Sequence, residues 1–307
     1  MAVRSRFGLA LGGGFLRGFA HLGVLDVFEE AGFRPGWIAG TSAGAIAAAF
    51  AAFGHSADET VEALEELGWG SMTKGRPRKL GLSTNQGLEE MLLRLLGDVC
   101  LEDAHIPLAV VATDINTGNR VLLERGPVAR AVRASCCVPG LYVPVEMNGR
   151  RLVDGGLTQN VPAGAVRDLG APLVVAVSLG FGLPYPDVRS WVQIMANAWD
   201  IATHSQMRFE ILAEADLLID PDLERFSAFR DGMRDSIIQA GRQRALEALP
   251  ALRELLAPEE PDNVILRWKE SVRERLAKAD STPRPPPAAP APPGTPGTAP
   301  RRTPPPG

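Results

Sequence analysis

Ser42 is the residue of this sequence best placed to act as a nucleophile. It lies in Gly40-Thr41-Ser42-Ala43-Gly44, after a short apolar segment and before a run of small residues at 43–53. The pattern predicts a buried strand, a sharp turn and a helix. Such a turn lifts the hydroxyl out of the fold near a helix N-terminus. Serine is also a preferred helix N-cap. The pentapeptide by itself is therefore about equally consistent with a catalytic serine and with a serine that only caps the helix.

A serine nucleophile needs a base, and the sequence offers two kinds of candidate. Asp154 follows a predicted strand and precedes Gly155 and Gly156, although an aspartate there can also simply bond the amides of its own turn. It can accept a proton if burial raises its pKa and the developing charge is stabilised. His204 is the other candidate, because the order Ser42, Asp154, His204 along the chain is the order of the catalytic triad in α/β-hydrolases. However, His204 falls within a predicted long helix at 191–215 and not on a loop after a strand.

A glycine-rich stretch, Gly12-Gly13-Gly14-Phe15-Leu16-Arg17-Gly18, follows a predicted first strand at 6–11. A dinucleotide-binding loop would also need an acidic residue at the end of the second strand, which here ends in Ile38-Ala39-Gly40. The alternative is an oxyanion hole, in which loop N–H groups hold the negative oxygen of a tetrahedral intermediate. In that case we expect Arg17 to brace the loop by bonding its carbonyl groups.

The elements that position these motifs are predicted in the order strand, glycine loop, helix, strand, turn and helix. The first helix, at 19–31, has one apolar stripe and ends at Gly32. This order is a βαβ unit and predicts an α/β fold with a parallel sheet. Further strands are predicted at 108–113 and 173–179, and Asn148-Gly149 predicts a tight hairpin before Asp154.

Composition excludes several classes of function. The 307 residues carry a net charge of −4 with interspersed signs, which does not suggest a nucleic-acid partner. Three cysteines, two of them adjacent, suggest neither a disulfide framework nor a metal site and favour a reducing, cytoplasmic location. No apolar run reaches the roughly 18 residues of a membrane span. We expect one domain at 1–280 and a disordered tail at 281–307, where 12 of 27 residues are proline.

Taken together, the motifs resemble those of the patatin-like phospholipases, in particular the bacterial branch. The hallmarks of that family are a glycine-rich loop ending in Arg-Gly or Lys-Gly, a Gly-x-Ser-x-Gly turn, and an Asp-Gly-Gly or Asp-Gly-Ala motif. The sequence matches them at 12–18, 40–44 and 154–156, and the resemblance extends over about residues 7–250. It implies a three-layer α/β/α fold and a Ser42–Asp154 dyad that hydrolyses acyl-ester lipids without histidine, metal or cofactor.

The resemblance also implies that Gly13, Gly14 and Phe15 form the oxyanion loop. The family often has glycine where this chain has Phe15, and a phenylalanine does not readily adopt a positive φ. We therefore expect the donors at Gly13 and Gly14, with Phe15 lining the substrate entrance. The remaining motif glycines are Gly12, Gly18, Gly40, Gly44, Gly155 and Gly156.

A lipid substrate implies transient contact with a membrane surface. The basic stretch 74–79 carries four cations that can meet anionic headgroups, whereas the amphipathic segment 264–279 is expected to pack on the core. A different class of function, a non-catalytic lipid- or protein-binding module on the same fold, is the alternative at this point.

Overall fold

The computed structural model describes residues 7–65, 80–180, 213–226 and 232–257, with short stretches at 194, 197–199, 201–203, 207, 211, 268–269 and 272–273. The described residues form an eight-stranded sheet. Its strands are β1 (Gly8–Leu11), β2 (Trp37–Thr41), β3 (Leu108–Asp114), β4 (Arg120–Leu123), β5 (Val145–Met147), β6 (Arg150–Asp154), β7 (Val174–Val177) and β8 (Leu217–Ile219).

Hydrogen bonds connect the strands in the order β5-β6-β3-β2-β1-β7-β8, and β4 also pairs with β3. The pairs β1–β2, β1–β7, β2–β3 and β7–β8 are parallel. The pairs that β3 makes with β4 and β6 are antiparallel, as is the β5–β6 hairpin. The predicted α/β fold with a mainly parallel sheet is therefore confirmed.

Helices cover both faces of this sheet. They are α1 (Phe19–Glu30), α2 (Ala43–Ala52), α3 (Ala57–Glu65), α4 (Gln86–Leu96), α5 (Val128–Ser135), α6 (Ala163–Asp168) and α7 (Arg234–Leu256), and short 3₁₀ turns lie at Phe15–Gly18, Leu101–Asp103 and Gly155–Leu157. Successive strand residues point to opposite faces. Accordingly, Leu9 and Leu11 join a core with α1, α2, α5 and α7, while Ala10 joins a second core with α6. The three-layer α/β/α architecture is thus confirmed.

Several sequence predictions fall outside the described residues. These are the basic stretch 74–79, His204, most of the segment 264–279, and the tail at 281–307. In the part of the chain that is described, no helix combines the length and apolarity needed to cross a membrane.

Candidate active site

The register of the sheet brings the C-terminal ends of β2 and β6 together. β2 runs parallel to β3 and ends with Thr41 opposite Val111. β6 runs antiparallel to β3 and ends with Asp154 opposite Ala112. Because β4 pairs with the other edge of β3 at both positions, β2 and β6 lie end to end along the same edge. Ser42, the residue after β2, therefore meets Asp154.

The two side chains form a hydrogen bond. The Ser42 hydroxyl donates from Oγ to Asp154 Oδ2 at 2.8 Å. Ser42 has φ 53° and ψ −121°, a conformation that is unfavourable for a residue with a Cβ and that persists only where the surrounding structure imposes it. It is also the residue before the first turn of α2, where unpaired N–H groups and the helix dipole create a positive potential.

Asp154 is almost completely buried, with 4% of its surface exposed. Its second oxygen, Oδ1, accepts a hydrogen bond from the Gly156 N–H at 2.8 Å. Burial raises the pKa of the Asp154 carboxyl from 3.8 to about 6, and the hydrogen bonds from Gly156 and Ser42 oppose this rise. Asp154 is therefore a stronger base than an ordinary aspartate while still ionising near neutral pH.

Two motif glycines are required because backbones approach closely around the dyad. A Cβ at Gly44 would lie 2.0 Å from the Leu11 carbonyl oxygen, and a Cβ at Gly155 would lie 2.2 Å from that of Val111. No side chain fits at such distances. The first contact brings α2 against the end of β1, and the second brings the Asp154 turn against β3.

The glycine loop lies against the serine, since a Cβ at Gly13 would be 3.3 Å from the Ser42 Cβ. The Gly13 N–H, however, donates to the Asn160 carbonyl at 3.0 Å. Gly13 was an expected oxyanion donor, but in this structure its amide is already used to hold the loop. The N–H groups of Gly14 and Ala43, by contrast, have no acceptor within the described part of the chain.

Phe15 adopts a backbone conformation that its residue type did not predict. It has φ 53°, the left-handed conformation that was expected to be avoided by a residue with a side chain. The cost is about 1–2 kcal/mol, which tertiary contacts can offset when they fix the flanking chain. Phe15 is the first residue of the Phe15–Gly18 turn, which packs on the start of α2, where Gly18 approaches Ala43.

Arg17 and His21 anchor the glycine loop. Arg17 Nε donates to the Phe226 carbonyl at 3.0 Å, which ties the turn that follows the glycines to the segment after β8. His21 is fully buried, and its Nε2–H donates to the Gly12 carbonyl at 2.7 Å. Burial lowers the pKa of His21 to about 4, so the ring is neutral at pH 7. With its Nε2 proton held by Gly12, His21 serves as a support for the loop.

Two residues that the sequence analysis did not assign also hold the site. Ser135, at the end of α5, accepts a hydrogen bond from the Ser42 N–H at 2.8 Å and donates to the Val111 carbonyl at 2.6 Å. Asn160 accepts from Gly13 through its backbone, and its side-chain oxygen is close to both Gly13 and Gly156. Ser135 belongs to Arg133-Ala134-Ser135, followed by Pro139-Gly140, a pattern that also resembles the bacterial branch of the family but does not by itself indicate this role. The isolated Asn160 carries no local signal.

Cys136 neighbours the dyad and is a second potential nucleophile by residue type. Burial raises the pKa of the Cys136 thiol well above its usual value, and the charge of Asp154 raises it further. Only a thiolate is strongly nucleophilic, so Cys136 remains a neutral thiol beside Ser42 at neutral pH. The serine is therefore the nucleophile that this environment favours.

Comparison with known proteins indicates the family to which the chain belongs. The sequence profile of the patatin-like phospholipases matches residues 9–167, which contain all three motifs. An uncharacterized NTE family protein of Mycobacterium tuberculosis is 32% identical over 278 residues, covering 81% of this chain and 47% of the relative. Patatin-like phospholipase domain-containing protein 6 of mouse is 35% identical over 182 residues, which are 56% of this chain and 13% of the mouse protein.

The fold also has a match among solved structures. VipD from Legionella pneumophila superimposes with a TM-score of 0.53 at 14% identity, over 88% of this chain and 74% of that one. The chain spans about half the length of the mycobacterial relatives that it matches. Because the family profile covers just over half of the 307 residues, the chain belongs to the patatin-like phospholipase family.

Proposed function

We propose that this chain is a serine hydrolase of acyl-ester lipids, of the phospholipase or lysophospholipase type. The observation that carries the proposal is the 2.8 Å hydrogen bond from the Ser42 hydroxyl to the buried carboxylate of Asp154. Family membership supports a lipid as the substrate. The strained backbone of Ser42 supports a catalytic role, because strain of this kind is concentrated at functional sites.

In the first step, Ser42 Oγ attacks the carbonyl carbon of the ester while Asp154 Oδ2 accepts the hydroxyl proton. The carbonyl oxygen becomes an oxyanion, for which the N–H groups of Gly14 and Ala43 are the proposed donors. These amides are suited to the role because no acceptor in the described structure uses them. Preorganised donors of this type typically contribute about 3–4 kcal/mol to transition-state stabilisation.

The tetrahedral intermediate then collapses, and the bond between the carbonyl carbon and the alcohol oxygen breaks. Asp154, now protonated, gives its proton to the departing alcohol, and the acyl group remains on Ser42. In the second half-reaction Asp154 takes a proton from water as the water oxygen attacks the acyl-enzyme. The fatty acid leaves and the proton returns to Ser42. The raised pKa of Asp154 matches both tasks, because a general base and acid works best near the operating pH.

The test is hydrolysis of a phospholipid panel and of a soluble short-chain ester by the full chain and by Ser42→Ala, Asp154→Asn and the double variant. Each single change is expected to reduce kcat by at least about a thousandfold, and the double variant is expected to be little worse. A fluorophosphonate should label Ser42 in the wild type. The matched control is His204→Ala, which is expected to be nearly silent.

Two results would contradict the proposal. If folded wild-type protein is not labelled and hydrolyses no ester, a non-catalytic binding module on the same fold becomes the better description. If His204→Ala is as damaging as Ser42→Ala in a folded protein, the dyad assignment is wrong and a histidine is the base.

A further inference from the structure

Three exposed leucines lie on two segments that are paired through their backbones. Leu80, Leu82 and Leu141 are 52%, 47% and 39% exposed. The segment 80–83 runs beside the segment 140–143. The Leu82 N–H donates to the Gly140 carbonyl at 3.2 Å, and the Ser83 N–H donates to the Leu141 carbonyl at 2.9 Å.

The pairing brings the two leucine-bearing segments together. Ser83 forms a parallel bridge with Tyr142, so that Leu82 lies beside Leu141. Ser83 is buried, whereas Leu80, Leu82 and Leu141 are exposed to solvent. We refer to Leu80, Leu82 and Leu141 as the leucine patch.

The segment that carries Leu141 also contacts Asp154 through its backbone. The Cys137 carbonyl accepts a hydrogen bond from the Asp154 N–H at 2.8 Å. The Cys137 thiol donates to the Val143 carbonyl at 3.2 Å, which closes the same loop. Leu141 is four residues beyond Cys137, so the chain places it at most about 14 Å from Cys137. The segment that carries Leu141 is therefore tied to Asp154 by backbone hydrogen bonding.

Charge in the sequence identifies the kind of surface that suits this patch. Lys74, Arg76, Arg78 and Lys79 directly precede Leu80 in the chain, and no acidic residue occurs between Glu66 and Glu89. An apolar patch that follows a run of cations in the chain is complementary to an anionic bilayer, where acyl chains accept the leucines and headgroups attract the cations.

We propose that the leucine patch inserts into the surface of an anionic phospholipid bilayer and thereby presents bilayer lipids to Ser42. This inference rests on the proposed function for its substrate, but it concerns a separate property, binding to the membrane. Clusters of exposed apolar side chains commonly mark interaction surfaces. A lipid held in a bilayer must reach the dyad through such a contact, whereas a short soluble ester diffuses in freely.

The experiment compares the full chain with Leu80→Ser/Leu82→Ser/Leu141→Ser. The matched control is Leu246→Ser, which removes a leucine of similar exposure, 47%, from α7. Sedimentation with phosphatidylglycerol vesicles and with phosphatidylcholine vesicles measures binding. Hydrolysis of the vesicle lipid is measured beside hydrolysis of the soluble ester. A Leu82→Trp reporter should shift its emission to the blue on vesicles, and Leu246→Trp should not.

We expect the triple variant to bind anionic vesicles at least about tenfold more weakly, and to hydrolyse vesicle lipid correspondingly more slowly, because each lost leucine removes buried apolar area. Its hydrolysis of the soluble ester should match that of the wild type, as should all properties of Leu246→Ser. Preference for phosphatidylglycerol over phosphatidylcholine at low salt would support the role of charge.

The inference is overturned if wild-type protein does not sediment with anionic vesicles, or if the triple variant binds them as well as Leu246→Ser does. In either case the leucine patch would suit a protein partner better than a bilayer. Failure of the proposed function looks different: vesicle binding would still depend on the patch, while neither vesicle lipid nor soluble ester would be hydrolysed by any form of the chain.

Discussion

Asp154 is expected to be needed for catalysis and at the same time to destabilise the fold. Its carboxylate is buried, and the hydrogen bonds from Ser42 and Gly156 only partly replace the water that it has lost. Asp154→Asn removes the charge and keeps the shape. The asparagine oxygen can still accept from Gly156, and its NH₂ group can donate to Ser42 Oγ, so no buried polar group is left without a partner.

The size of the effect follows from the pKa. A rise from 3.8 to about 6 means that the ionised form is disfavoured in the folded state by about 3 kcal/mol. Below pH 3.8 the carboxyl is neutral in both states and there is no penalty. Between pH 3.8 and about 6 only the unfolded state ionises, so stability falls as the pH rises, and above about 6 the full penalty is present. Asp154→Asn should therefore stabilise the protein by about 2–3 kcal/mol at pH 7.5 and by little near pH 4.

Urea denaturation of both forms at pH 7.5 and pH 4.5 tests this expectation, and at pH 7.5 the melting temperature should rise by about 5 °C or more. The matched control is Asp98→Asn, which neutralises an exposed carboxylate and should change stability little at either pH. The reasoning is refuted if folded Asp154→Asn is no more stable than the wild type at pH 7.5, or if its advantage is the same at both pH values.

Three further predictions concern the same chain. Hydrolysis of the soluble ester should increase with pH through an apparent pKa near 6, because Asp154 must be ionised to accept the proton; a rate that is flat from pH 5 to 8 would contradict this. Ser135→Ala should lower kcat by at least about tenfold and stability by about 1–3 kcal/mol, since it leaves the Ser42 N–H and the Val111 carbonyl without their partner, and an unchanged kcat would argue against its positioning role. Deleting residues 281–307 should leave melting temperature and activity almost unchanged because their composition cannot form a core, so a fall of many degrees would show that the tail docks on the domain.

Much of the fold was predictable from short-range pattern. Alternation of strand and helix signals over the first 50 residues predicted the βαβ unit, and the predicted helix at 19–31 is α1, Phe19–Glu30. Asn148-Gly149 predicted the β5–β6 hairpin, and both residues have the positive φ that such a turn needs. These features depend on neighbours within a few positions, so the local sequence determines them.

The geometry of the candidate site depends on contacts between distant parts of the chain. Ser42 and Asp154 were predicted from their motifs, but they are 112 positions apart in the chain. Ser42 Oγ and Asp154 Oδ2 lie 2.8 Å apart because β2 and β6 end at neighbouring residues of β3. Ser135 supports Ser42 from 93 positions away. No local pattern encodes such a register.

The glycine loop differs from the prediction at two residues, Gly13 and Phe15. Intrinsic backbone preferences favoured Gly13 as an oxyanion donor and disfavoured a positive φ at Phe15. In the folded protein the Asn160 carbonyl takes the Gly13 amide, and Phe15 adopts φ 53°. The sequence by itself determined which elements form and which residue types face one another. Only the tertiary structure decided which amides remain available, because each N–H binds whichever acceptor the packed chain brings to it.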